Sequence, residues 1–134
     1  MFQRKPRILV VEDSLLLADF VCDLLRDSGT EPVGPVATVA GALRIVRDHD
    51  LDAAFLDVKV LDGTTFAVCR ALQARNVPFA FLSGTKQEVL PIQFIDVPIV
   101  AKPFEWTSLQ RAIVQMLKQY GPVGGDLTLG DCKT

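Results

Sequence analysis

The chain has 134 residues, 49% of them apolar and 22% charged, a composition that fits one globular domain with a core large enough to need no disulfide or metal staples. Its 16 acidic and 14 basic residues leave a net charge of −2, a balance that gives no sign of a nucleic-acid-binding surface. Cys22, Cys69 and Cys132 form no C-x-x-C pair, so neither a zinc site nor a disulfide framework is signalled, and the usage suits a reducing cytoplasm.

The chain opens on a basic stretch, Met1 to Arg7, followed by Ile8-Leu9-Val10-Val11. Four apolar residues ending at Glu12-Asp13 are too few for a signal-peptide core or a membrane span, and they read as a buried strand. Leu17, Val21, Leu24 and Leu25 recur at helical spacing, and Ser28-Gly29 closes that helix. Val33 to Val36 reads as a short second strand, and Pro32 and Pro35 argue for an edge position or a ragged end. Thr38 is the expected N-cap of a second helix, with Val39, Leu43 and Val46 facing inward. His49, the only histidine, stands between Asp48 and Asp50 at the end of that helix and reads as a surface residue.

Ala53-Ala54-Phe55-Leu56 is the third strand, and Phe66, Cys69 and Leu72 form the inner face of a third helix. Cys22 and Cys69 fall within apolar helical patterns and read as buried free thiols. Pro78 to Leu82 is the fourth strand and Pro98 to Ala101 the fifth. Leu109, Ala112, Ile113, Met116, Leu117 and Tyr120 form the stripe of a last helix. The expected domain covers residues 1–120. The Gly-rich, polar stretch 121–134 reads as a flexible C-terminal tail.

Strand–helix alternation with continuous apolar strands predicts an α/β fold whose parallel sheet is covered on both faces. With right-handed crossovers and five strands, it is a flavodoxin-like doubly wound sheet of order 2-1-3-4-5. Ligands in such folds sit at the carboxyl ends of the strands. Glu12 and Asp13 follow the first strand, Asp57 the third, Ser83 the fourth and Lys102 the fifth. Three carboxylates converging on one pocket repel one another unless a cation joins them, and an all-oxygen site open to water suits Mg²⁺. Lys102 adds positive charge and Ser83 a hydroxyl, a setting in which Asp57 can attack a phosphoryl group as a carboxylate nucleophile.

The segments Val10-Val11-Glu12-Asp13-Ser14, Phe55-Leu56-Asp57, Ser83-Gly84 and Ala101-Lys102-Pro103-Phe104 resemble the signature segments of two-component receiver domains, in the family's order, over roughly residues 7 to 120. The resemblance implies a stand-alone response regulator in which Glu12 and Asp13 hold the metal and Asp57 accepts the phosphoryl group. It implies that Ser83 is the switch hydroxyl, that Lys102, placed by a cis bond to Pro103, contacts the phosphoryl group, and that the Lys59 backbone carbonyl is a further metal ligand. It further implies a cytoplasmic protein that takes phosphate from a histidine kinase or histidine phosphotransfer protein. Such a protein, a monomer or weak homodimer, passes its signal to a downstream protein target without nucleic acid or membrane.

Three departures stand out. Ile99 occupies the place of the family's usual aromatic residue, three before the lysine. The loop after Asp57, Val58-Lys59-Val60-Leu61-Asp62-Gly63, lacks the usual proline-containing turn. Pro91 and Pro98 limit the fourth helix, which is expected to be short or irregular. Phe81-Leu82-Ser83-Gly84-Thr85-Lys86 is similar to the Phe-Ala-Thr-Gly-x-Tyr segment of a subgroup of single-domain receivers. Two other functions compete: a receiver-like interaction module independent of phosphorylation, and a small flavodoxin-like enzyme or flavin carrier. Glu12-Asp13 argues against the second, because acids after the first strand repel a phosphate.

Overall fold

The computed structural model describes residues 4–83, 90–101 and 106–117. The element order is β1 (Arg7–Val11), α1 (Leu15–Asp27), β2 (Glu31–Val36), α2 (Val39–Asp48), β3 (Ala53–Asp57), β4 (Lys59–Val60), β5 (Gly63–Thr64), α3 (Phe66–Ala74), β6 (Phe79–Ser83), a 3-10 turn (Ile92–Phe94), β7 (Ile99–Ala101) and α4 (Trp106–Leu117). The main sheet is parallel, with order β2-β1-β3-β6-β7. This is the expected 2-1-3-4-5 arrangement with a hairpin, β4-β5, interposed after β3. The expected tail 121–134, Tyr120, Thr85-Lys86 and the Lys102–Pro103 bond lie outside the described residues.

The period of two along a strand explains why the strands read as unbroken apolar runs. Ile8, Val10 and Phe55 enter one core with Val21, Leu25, Leu109 and Ile113 from α1 and α4. Leu9, Val11 and Leu56 enter the other, with Ala42, Val46, Val68 and Leu72 from α2 and α3. Each face of the sheet is therefore sealed by two helices. Cys22 and Cys69 are buried and free, one in each core.

Helix ends follow their local chemistry. Ser14 caps α1 by accepting from the Leu17 N–H, and Thr38 caps α2 by accepting from the Gly41 N–H at 3.0 Å. Gly29, at φ +86°, closes α1 in the left-handed region that glycine tolerates. The inner face of α2 differs from the expected one at a single position. Val46 is buried and Val39 packs against the core, but Ala42 takes the central place and Leu43 is 36% exposed. A step of 100° separates neighbours on a helix, and the small Ala42 lets α2 approach closely, which turns Leu43 off the buried face.

The edge strand β2 carries Pro32 and Pro35 and a cis Gly34–Pro35 peptide. Its register against β1 shifts between Leu9 and Val11. Gly34 has φ +100°, and a Cβ there would meet the Val10 carbonyl oxygen at 3.1 Å, so this close approach requires glycine.

Of the expected fourth helix, residues 84–89 lie outside the described residues, and the described part holds the 3-10 turn Ile92–Phe94. Phe94, in the 3-10 turn, is fully buried and stacks on Phe66 at 5.7 Å, with edge contacts to Phe79 and Phe81 at 6.0 and 6.2 Å. One large aromatic side chain holds the stretch against the sheet, where a helix would have used a stripe.

Candidate functional site

Glu12, Asp13 and Asp57 come together at the carboxyl ends of β1 and β3. One carboxylate oxygen from each lies within 4.8 Å of the others. Adjacent pairing of β1 and β3, with Val11 opposite Leu56, makes this juxtaposition unavoidable once the sheet forms. Glu12 and Asp57 are 2% and 5% exposed, whereas Asp13 is exposed, so the cluster opens to water on the side of Asp13.

Two hydrogen bonds hold Glu12. Its N–H donates to the Val36 carbonyl at 2.9 Å, which ties it to β2. Its Oε2 accepts from the Ser14 N–H at 3.0 Å. Because Ser14 is the N-cap of α1 and no acid stands in that helix's first turn, capping does not account for Glu12 and Asp13. Their carboxylates serve the cluster instead.

Ser83 ends β6 and is 9% exposed. Asp57 lies opposite Leu82, so Ser83 is one residue beyond the acid on the neighbouring strand. Ser83 in turn lies opposite Ala101, the last residue of β7. Lys102 lies outside the described residues, although the strand that leads to it ends at the site. Lys59 is exposed in β4, two residues past Asp57. His49 is exposed at the C-terminal end of α2, in keeping with a surface residue. Ile99 is 53% exposed in β7.

Two features of the site were not anticipated. The first is the hairpin. Lys59 pairs with Thr64 and Val60 with Gly63, leaving Leu61-Asp62 as the turn. The Leu61 N–H reaches the Ala37 carbonyl at 3.3 Å, and Asp62 accepts from the Val39 and Ala40 N–H groups. An Asp-Gly dipeptide between extended residues was the available signal. The second is Thr65, which is fully buried and donates its hydroxyl to the Asp57 carbonyl at 2.5 Å.

A groove of about 440 Å³, lined by residues such as Val77, Pro78, Val97, Pro98 and Met116, opens at the opposite ends of β6 and β7 and contains none of the clustered acids.

The family model of the response regulator receiver domain matches residues 8–114. Among solved structures, SdrG from Sphingomonas melonis Fr1 is 38% identical, with a TM-score of 0.77, over 87% of this chain and 99% of that one. The BeF3-activated conformation of SdrG, from Pseudomonas melonis Fr1, matches at 38% identity and a TM-score of 0.72 over the same shares. The PhyR response regulator REC domain of Erythrobacter litoralis is 24% identical, with a TM-score of 0.70, over 85% of this chain and 91% of that one. No curated protein matches.

Proposed function

The chain belongs to the response regulator receiver family, and from that premise we propose that it is a signalling switch whose phosphoryl acceptor is Asp57. The observation that carries this reading is the meeting of three carboxylates within 4.8 Å, two of them buried. At an effective dielectric of about 20, each ionised pair at that separation repels by roughly 3 kcal/mol. Such a cluster fits a hard divalent cation with oxygen ligands, and an opening at Asp13 fits one that keeps several waters, as Mg²⁺ does. Glu12, Asp13 and Asp57 would hold it, with the Lys59 backbone carbonyl as a further ligand. When bound, Mg²⁺ offsets the carboxylate repulsion and supplies positive charge for phosphoryl oxygens.

The transfer itself falls to the chain's own residues. An Asp57 carboxylate oxygen attacks phosphorus in line with the bond to the donor's histidine nitrogen. The O–P bond forms as the P–N bond breaks, and the electron pair leaves with the imidazole. The Ser83 hydroxyl donates to a phosphoryl oxygen, and the Lys102 ammonium pairs with another. The donor is a histidine kinase or a histidine phosphotransfer protein, and the readout is binding to a downstream protein target. The domain of residues 1–120 acts in the cytoplasm as a monomer or weak homodimer, without nucleic acid. Among the described residues, no helix is long and apolar enough to cross a membrane. The relative SdrG has a BeF3-activated conformation, which supports the same kind of switching here.

The test is Mg²⁺-dependent reaction with acetyl phosphate. Intact mass rises by one phosphoryl group, about 80 Da, and Asp57→Asn abolishes the rise. An unchanged mass at saturating Mg²⁺ sinks the reading. One observation favours a second reading, a phosphorylation-independent interaction module: Ile99 is a half-exposed aliphatic residue, with no ring to swing inward. Under that reading, Asp57→Asn leaves partner binding as it was.

A further inference from the structure

The peptide that follows Asp57 leaves the sheet, and the chain returns eight residues later at Thr65 to close the excursion. Thr65 precedes α3 in the N-cap position, where threonine ordinarily accepts a hydrogen bond from the helix. Here it makes no side-chain cap bond. Its hydroxyl is turned the other way and donates to the Asp57 carbonyl at 2.5 Å, with the Val58 carbonyl at 3.3 Å as the more distant neighbour. A hydroxyl has one proton to give, and the shorter contact takes it. The Thr65 N–H donates to the Val58 carbonyl at 2.9 Å. Cys69, one turn into α3, donates its N–H to the Thr65 carbonyl at 3.0 Å, so Thr65 is itself fixed by the helix.

We propose that Thr65 is a positioning residue for the phosphoryl acceptor, acting through the main chain of Asp57 and Val58. The inference rests on the reading of Asp57 as acceptor. The residue's own peptide N–H side belongs to the β3 ladder, where Asp57 pairs with Leu82. Its carbonyl side has left the ladder, and the orientation of that carbonyl is set by the Asp57 ψ angle. The Thr65 hydroxyl therefore holds the torsion that decides how the chain leaves Asp57, and so where the segment carrying the Lys59 carbonyl starts relative to the Asp57 carboxylate. The helix forgoes a cap bond of ordinary worth to obtain this, and a fully buried site makes the bond stiff.

Three variants test it: Thr65→Val, which keeps the shape and removes the hydroxyl; Thr65→Ser, which keeps the hydroxyl; and Val21→Ala, a destabilised control in the core on the opposite face of the sheet. Two quantities are read, the rate of Mg²⁺-dependent phosphorylation by acetyl phosphate and the Mg²⁺ affinity from the amide shifts of Asp57 and Val58. Thr65→Val is expected to slow phosphorylation on the order of tenfold or more, because small misplacements of a reacting group are costly, and to weaken Mg²⁺ binding. Thr65→Ser stays within about twofold of the parent, and Val21→Ala keeps the parent's rate, since neither disturbs the acceptor geometry. The proposal is overturned if Thr65→Val matches the parent in both quantities, if Thr65→Ser falls with it, or if the control falls equally. A parent that binds Mg²⁺ but gains no phosphoryl group defeats the acceptor reading, and the Mg²⁺ affinities alone then decide the role of Thr65. A parent that binds no Mg²⁺ defeats both.

Discussion

Asp62, at the tip of the hairpin after Asp57, caps a helix that begins 23 residues earlier: its Oδ1 accepts from the Val39 N–H at 2.6 Å. Oδ2 accepts from the Ala40 N–H at 3.3 Å, and Thr38 covers the Gly41 N–H. The first three N–H groups of α2 are thereby met by side chains, two of them by Asp62 from the loop that starts at Asp57.

This cap titrates. The Val39 N–H bond holds the Asp62 carboxyl below the ordinary carboxylate range. A lowered folded value means that the stabilisation is present above the unfolded value, about 4, and is lost as pH falls through the folded value beneath it. Asp62→Ala should lower the unfolding temperature at pH 7. Its deficit relative to the parent should shrink on acidification below pH about 4. A deficit that does not change with pH argues against the cap.

Mg²⁺ should stabilise the folded chain. A ligand present at about 100 times its dissociation constant adds about 2.7 kcal/mol, visible as a rise in unfolding temperature that EDTA reverses. Asp13→Ala should remove most of that rise. In the metal-free protein the same variant should unfold at a higher temperature than the parent, because one of three mutually repelling charges has gone. Melting curves of both proteins with and without Mg²⁺ check the two signs together.

Phe94 is the anchor of its segment. Phe94→Ala should cost about 3–5 kcal/mol, as for other buried aromatic truncations, and urea unfolding measures it. Amide exchange of residues 92–97 should quicken beyond the global change, because their attachment to the sheet passes through this ring.

Cys69 should be inert in the folded protein. Burial pushes its thiol up to about 12, which leaves roughly one thiolate in 10⁴ at pH 8. Burial also raises the Cys22 thiol. Peptide mapping after treatment with a thiol reagent should find both unlabelled until denaturant is added. Rapid labelling of Cys69 in native protein counts against its packing under Thr65.

Much of this arrangement was legible because the apolar runs and the acids ending them are local signals. Val10-Val11 before Glu12-Asp13, and Phe55-Leu56 before Asp57, announce buried strands whose ends carry charge, and a parallel sheet then brings those ends together. The edge position of β2 followed from its prolines in the same way. What escaped depends on contacts across the fold. Asp62 reads as half of an Asp-Gly turn, and nothing nearby in sequence reveals that it serves α2. Thr65 stands where a helix cap would, yet its hydroxyl goes to Asp57 because the hairpin returns there. Leu43 and Ala42 fit the same helical stripe, and only the closeness of α2 to the sheet and α3 decides between them. Phe94 stood in a stretch judged by its prolines, which hid the aromatic cluster that holds it.

The outer margin of β2 has a consequence for how copies of this chain meet. Pro32 and Pro35 have no N–H to offer, and the bend at Gly34 spoils what regularity remains. A neighbouring polypeptide trying to extend the sheet would find an interrupted row of donors. The opposite margin, Ile99–Ala101, is only three residues long. Among the described residues, neither flank of the sheet therefore offers a long, regular row of main-chain groups onto which another chain could zip.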